Sequence, residues 1–241
     1  MIEIKNVSKS YEGEKYAVKN LSLTVNSGEI FGFLGPNGAG KTTTIKMING
    51  INSIDSGTIY INNKNIKKES VEAKKLFTYV PDSPDMFLKL KAIEYLNFIG
   101  DVYKVPSSER ESKINDLTKR FDIYDSLNEK LISLSHGMRQ KIILIGSLLP
   151  DTPNWILDEP MVGLDPKSSH ELKEIMKEKA SKGCSVFFST HVLEVAEKLC
   201  DRIGIINKGE LIYEGTLDEL QKEQHNNSSL EELFLELTKK D

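Results

Sequence analysis

Cysteine and tryptophan are scarce in this chain, with two Cys (Cys184 and Cys200) and one Trp among 241 residues. Two thiols without metal-ligand spacing exclude a disulfide framework or a cysteine zinc site, and both are expected as reduced, buried groups. Long apolar runs are also missing. The most apolar stretches, Ile30–Leu34 and residues 142–149, fall far short of the roughly 20 residues that a membrane-spanning helix needs. Neither sign of charge dominates: 32 Lys and Arg stand against 36 Asp and Glu, so no basic field points to nucleic acid. The opening Met1-Ile2-Glu3-Ile4-Lys5-Asn6 has no cationic segment followed by an apolar one, so no secretory signal is expected. No internal repeat or low-complexity segment is present. A length of 241 residues supports one large domain with a sizeable core, expected to be soluble and cytoplasmic.

What is present alternates between two periodicities. Apolar and polar residues alternate at Ile2 and Ile4 and again at Leu21, Leu23 and Val25, with the turn-like Tyr11-Glu12-Gly13-Glu14 between them. This pattern predicts an antiparallel strand pair. Ile30–Leu34 reads as a strand buried on both faces, followed by a helix over 43–49 that Asn49-Gly50 ends. Short strands are expected at 58–61 and 76–80. From about residue 85 to 149 the spacing turns helical: Ile93, Leu96, Phe98, Ile99 and Val102, then Ile114, Leu117 and Phe121, then Met138, Ile142, Ile145 and Leu149 behind a start near Ser135. Strands at 155–157 and 186–188 and a hairpin over 203–213 restore the α/β pattern. Asp165-Pro166 suits an N-cap and first turn, with Leu172, Ile175 and Met176 as that helix's buried face. Val192, Val195, Ala196 and Leu199 suit a further helix, and Leu230, Leu233, Phe234 and Leu237 a terminal amphipathic one. The expected division is a catalytic core over 1–84 and 150–220, an inserted helical subdomain over 85–149, and a C-terminal helix within 221–241.

Gly35-Pro36-Asn37-Gly38-Ala39-Gly40-Lys41-Thr42-Thr43 fits the G-x-x-x-x-G-K-[ST] pattern between a strand and a helix. Glycines there let successive backbone N–H groups turn toward phosphate oxygens, and the helix N-terminus adds its positive end. Lys41 would reach the β- and γ-phosphates of ATP, and Thr42 would ligate Mg²⁺. Leu157-Asp158-Glu159 ends a later strand, where a Walker-B acid belongs. Asp158 would hold the metal, and Glu159 would act as general base on the attacking water.

Between these motifs lies Leu134-Ser135-His136-Gly137-Met138-Arg139-Gln140-Lys141. With this octet in place, the chain resembles the ATP-binding cassette (ABC) proteins over about residues 2–219, with the family's motifs in order. The resemblance implies an α/β P-loop NTPase fold with a RecA-like core, an N-terminal antiparallel β-subdomain and an inserted helical subdomain. It implies an ATPase whose second subunit, a copy or a related cassette, completes the site, on a separate membrane-spanning permease at the inner face of the membrane. By the same resemblance Tyr11 stacks on adenine, unless it is only a turn tyrosine. Ser135 and Gly137 bind the γ-phosphate of the ATP held by the other subunit, and Ser135 is equally suited to an N-cap. Gly163-Leu164-Asp165 resembles the D-loop, and His191, after Ser189-Thr190, the switch histidine. Two motifs depart from the pattern, at Asp82 and in the signature. Asp82 stands where the family has Gln, and is expected to reach Mg²⁺ only through water. His136 and Met138 replace Gly and Gln, from which weaker contacts between subunits and a slower ATPase are expected. Tyr79-Val80-Pro81-Asp82 and the signature are most similar to the export-type branch. The short helical segment lacks the long heptad coiled coil of chromosome-organising relatives. A single cassette without basic linkers is unlike translation factors, and a kinase or GTPase would lack the octet. A degenerate cassette that binds ATP as a regulatory partner is the remaining alternative.

Overall fold

The computed structural model describes residues 1–11, 15–223 and 230–239. Residues 12–14, within the turn expected after Tyr11, lie outside them. In chain order the elements begin with β1 (Ile2–Tyr11), β2 (Lys15–Val25), β3 (Ile30–Leu34) and α1 (Lys41–Ile48). They continue through β4 (Ser56–Ile61), β5 (Lys64–Asn65), α2 (Ser70–Lys74) and β6 (Phe77–Val80). Three helices follow, α3 (Ala92–Val102), α4 (Ser107–Arg120) and α5 (His136–Leu148). The rest is β7 (Asn154–Leu157), α6 (Pro166–Ser181), β8 (Ser185–Thr190), α7 (Leu193–Leu199), β9 (Arg202–Asn207), β10 (Glu210–Gly215), α8 (Leu217–Glu223) and α9 (Leu230–Lys239).

Two sheets form the frame. In the first, of order β2-β1-β4-β5, all neighbours are antiparallel, and Ile4 lies opposite Leu23 on one side and Ile59 on the other. One face carries Ile2, Ile4, Val7, Leu21, Leu23 and Val25 inward, as a sheet with one wet face requires. The second has the order β10-β9-β3-β8-β7-β6, parallel except for β10. Its central strands are buried on both faces, so their side chains alternate between two cores. Phe31, Phe33, Ile156 and Phe187 point to the side of α1 and the first sheet, where Phe187 packs on Phe31 and Phe33 at ring distances of 5.9 and 5.5 Å. Ile30, Trp155, Leu157, Val186 and Phe188 point to the side of α3–α6.

Local chemistry fixes the helix starts. Ser135 caps α5 by accepting from the Met138 N–H at 3.3 Å. Asp165 caps α6 by accepting from Ser168 N at 2.9 Å, with Pro166 as the first helical residue. The Trp155 indole donates to Ser147 Oγ at 2.9 Å, which locks β7 to α5. Arg120 pairs with Glu171 and Glu178 and ties α4 to α6.

The structure differs from expectation in a few places. Phe98 and Val102 are exposed at 43% and 58%. The buried stripe of α3 is Ala92, Tyr95 and Leu96, because the helix is apolar around much of its circumference and only one face meets the core. The short elements β5, α2 and α8 carry too few residues to show a period, and α8 spans the division expected at 220/221. Among the described residues no helix is long and apolar enough to cross a membrane.

Candidate active site

The phosphate loop leaves the end of β3, the strand between β8 and β9 in the sheet. Pro36, Asn37 and Gly38 form its exposed crest, and Gly35, Ala39 and Gly40 are buried at its base. Gly40 precedes α1 at φ 112°, and a Cβ there would stand 2.5 Å from the Ala17 carbonyl oxygen, so both conformation and space demand glycine. The turn between β9 and β10 braces the loop, since Gly209 N donates to the Ala39 carbonyl at 2.9 Å. Lys41 is buried at the start of α1, with its ammonium donating to the carbonyls of Gly35 at 2.7 Å and Pro36 at 3.3 Å. Thr42 and Thr43 follow it, half-buried.

Three strand ends meet beside this loop. Asp158 follows β7 and is fully buried, its backbone N–H donating to the Val80 carbonyl. In the parallel pairing Leu157 lies opposite Phe188, so the next residues, Asp158 and Ser189, are neighbours. The Ser189 hydroxyl donates to Asp158 Oδ1 at 2.6 Å and accepts from Glu159 N at 2.9 Å. Glu159 adopts φ 46°, uncommon for a residue with a side chain. Its carboxylate lies between two groups: Oε1 is 3.5 Å from Lys41 Nζ and Oε2 is 3.0 Å from His191 Nδ1. Lys41, Glu159 and His191, far apart in the chain, therefore form one connected row. Burial pushes the Asp158 carboxyl above its ordinary range, the Ser189 and Thr42 hydroxyls oppose this, and the carboxylates of Asp82 and Glu159 add to it.

The other candidates are spread around this centre. Tyr11 is exposed, its hydroxyl accepting from Asn52 Nδ2 at 2.6 Å and its ring lying under the Lys9 ammonium at 5.6 Å. It lines an open cavity of about 620 Å³ with Lys15, Tyr16, Ala17, Gly38, Lys208 and Gly209, so the aromatic ring and the crest of the phosphate loop share one hollow. Asp82 is exposed just beyond β6 and acts on Asp158 through its charge. Ser135 and Gly137 lie at the start of α5, and no hydrogen bond among the described residues joins them to the phosphate loop.

Residues 18–162 match the profile of the family described as ABC transporter. The chain belongs to this family. Over an alignment of 242 positions it is 34% identical to the ABC-type transporter ATP-binding protein EcsA of Bacillus subtilis (strain 168), covering 100% of this chain and 98% of the relative. Its fold superposes with a TM-score of 0.95 on the ATP-binding subunit of an ABC transporter, at 33% identity over 99% of this chain and 100% of the other. A dimeric ATP-binding cassette, MJ0796, in a post-hydrolysis state bound to ADP and Pi, matches with a TM-score of 0.80 at 26% identity, over 90% of this chain and 99% of the other. The protein is thus an ATP-binding subunit of the ABC transporter type, with the ATPase fold of such cassettes.

The donor set of the cassette suits a hard divalent cation. Asp158 Oδ2 is buried without a hydrogen-bond partner, and the carboxylate is disfavoured by burial among other acids, both of which a cation would relieve. Among the described residues no group of three or more His, Cys, Asp and Glu forms a cage. Mg²⁺ needs none, since it is commonly held by one or two protein oxygens together with phosphates and water. Sequence reasoning left one residue of this centre without a role. Ser189 was visible as a small polar residue at the end of a buried strand, but its tie to Asp158 depends on which strand lies beside β7.

Proposed function

We propose that this cassette binds ATP–Mg²⁺ and closes with a second cassette, a copy or a related chain, around two nucleotides, hydrolysing ATP to drive export through a separate membrane permease. The observation that carries the reading is the position of Glu159 between Lys41 and His191, beside the unpartnered oxygen of Asp158.

In this reading the loop from Gly35 to Thr43 encloses the phosphates, and the Lys41 ammonium turns from the Gly35 and Pro36 carbonyls toward the β- and γ-phosphate oxygens. That movement frees Glu159 from its ion pair. Glu159 then takes a proton from the attacking water as the water oxygen bonds to the γ-phosphorus and the bridging oxygen leaves with ADP. His191 orients the Glu159 carboxylate through its Nδ1 contact. Thr42 and Asp158 would hold Mg²⁺, which neutralises charge developing on the phosphates. Tyr11 would stack on the base, and Asp82 would act on the metal only through water. Ser135 and Gly137 of one chain reach the nucleotide held by the other.

The permease surface is assigned to the exposed apolar residues Met86, Phe87, Phe98 and Val102, which lie beyond Asp82 and on α3. Phe87 and Phe98 pack together at 5.4 Å, forming a continuous apolar patch of the kind that marks a protein contact. Such a contact would place the cassette on the inner face of the membrane. The export direction rests on the resemblance of Tyr79-Val80-Pro81-Asp82 and the signature to the export-type branch.

Glu159→Gln tests the central assignment. The variant should bind ATP as tightly as the wild type, lose hydrolysis and run at twice the mass in size-exclusion chromatography with ATP and Mg²⁺. Hydrolysis at the wild-type rate would remove Glu159 as the base, and a monomer under all nucleotide conditions would remove the two-site reading.

A further inference from the structure

The first turns of α5 lie against residues 160–165, the stretch that leads from Glu159 into α6. His136 and Gln140, and Gly137 and Lys141, are i,i+4 neighbours that form two adjacent rows along the helix. Each of them meets this stretch. Lys141 Nζ pairs with Asp165 Oδ2 at 2.7 Å. Gln140 is buried, and its Nε2 is 3.4 Å from the Pro160 carbonyl. A Cβ on Gly137 would stand 2.3 Å from the Gly163 carbonyl oxygen, so the two backbones are in direct contact. At Gly163, φ is 79°, and a Cβ there would stand 2.7 Å from His136 Nδ1. The imidazole thus fills the place beside Gly163 that a side chain would otherwise occupy.

We infer that His136 is a positioning residue: its ring clamps the turn at Gly163 to the start of α5, so that the signature and Glu159 of the same chain shift together. A glycine at position 136 would leave a gap beside Gly163, itself without a side chain, and only the flanking contacts at Gln140 and Lys141 would remain. The turn is short and internally bonded, with Val162 N donating to the Glu159 carbonyl at 3.2 Å and Leu164 N to the Met161 carbonyl at 3.3 Å. A displacement at Gly163 therefore reaches Glu159 through few rotatable bonds. His136 in this role offsets the loss expected from replacing the family's glycine, because what it adds lies within its own chain.

The consequence for catalysis rests on the proposed two-site reading. If Ser135 and Gly137 engage the nucleotide of the second cassette, occupancy of that site is conveyed through His136 to Glu159 of the first. Hydrolysis at the two sites is then coupled, and the coupling depends on the ring.

Three variants test this. His136→Gly removes the ring, His136→Ala leaves only a methyl group, and His136→Asn keeps an atom near the place of Nδ1. In the nucleotide-free chain, amide hydrogen exchange at residues 161–165 should rise about tenfold in His136→Gly and stay near wild type in His136→Asn. The steady-state kcat of His136→Gly should fall about fivefold and its Hill coefficient for ATP should drop toward one, with ATP affinity unchanged. His136→Ala should follow the glycine variant. Unchanged exchange in His136→Gly would overturn the clamp. Altered exchange with unchanged kcat and Hill coefficient would overturn the catalytic role. The exchange measurement uses one chain and needs no dimer, so failure of the two-site reading, seen as a Glu159→Gln chain that stays monomeric, is distinguishable from failure of the clamp.

Discussion

Replacing Ser189 by alanine removes one hydroxyl that serves two groups at once, the buried Asp158 carboxylate and the part-buried Glu159 N–H. It donates to Asp158 Oδ1 at 2.6 Å and accepts from Glu159 N at 2.9 Å, and both Ser189 and Asp158 are fully buried. A hydrogen bond to a charged acceptor contributes about 1.5–3 kcal/mol, and leaving a buried donor unsatisfied costs about 1–3 kcal/mol. Partial relaxation lowers their sum, so Ser189→Ala should destabilise the nucleotide-free chain by about 3 kcal/mol, a large share of the roughly 5–15 kcal/mol typical of a domain. The rate should suffer as well. Glu159 is held at φ 46°, and without an acceptor for its N–H the turn can relax and carry the carboxylate away from His191. A loss of about 1.4 kcal/mol in transition-state stabilisation is tenfold, so kcat should fall by about tenfold or more. KM for ATP should stay near wild type, because the substitution leaves Lys41 and the phosphate loop untouched. Urea unfolding without nucleotide and steady-state ATPase assays measure the two effects. A stability change below about 0.5 kcal/mol, within the range of an ordinary surface substitution, together with an unchanged kcat, would refute this account of how Asp158 and Glu159 are held.

Two further outcomes follow from the surface. Lys141 and the Ser168 N–H and hydroxyl hold the Asp165 carboxyl well below the usual carboxylate range. A lowered folded-state pKa stabilises above the unfolded value and is lost as pH falls through the folded one. The gap in urea midpoint between wild type and Asp165→Asn, which keeps a capping side chain, should be flat above about pH 5 and close below about pH 4. Exposure and solvent screening keep that gap to about 0.5 kcal/mol, and a gap that widens on acidification would contradict the sign. Phe98→Asp should leave stability within about 0.5 kcal/mol and the ATPase of the isolated cassette unchanged, yet abolish co-purification with the permease. Retained co-purification would move the permease contact elsewhere.

Much of the fold could be read from the chain because it is encoded locally. Ile30–Leu34 is apolar throughout because both faces of β3 are covered, and Ser135 and Asp165 announce helix starts by their own hydrogen bonds. The residues of the candidate site were likewise visible as motifs. What was not visible depends on partners distant in sequence. Nothing local places β3 between β8 and β9, so the row Lys41–Glu159–His191 and the bridge from Ser189 to Asp158 become apparent only once the sheet is assembled. Phe98 and Val102 share apolar character with Leu96, and composition alone does not separate an exposed apolar residue from one in the core. The left-handed turn at Glu159 has no signature in its residue type, since glutamate rarely adopts it.

The position of β3 also sets how much of the chain must be present before this strand is paired. Both of its neighbours are late arrivals: β8 begins at Ser185 and β9 at Arg202. A nascent chain that has already emerged with its entire phosphate loop, signature and Asp158 still has no strand on either side of β3. Such long-range pairing is slow to form, because loop closure must come before any contact rewards it. A chain truncated before β8 also lacks Ser189 and His191. A chain that ends before β8 therefore has neither neighbour of β3 nor the contact from His191 to Glu159.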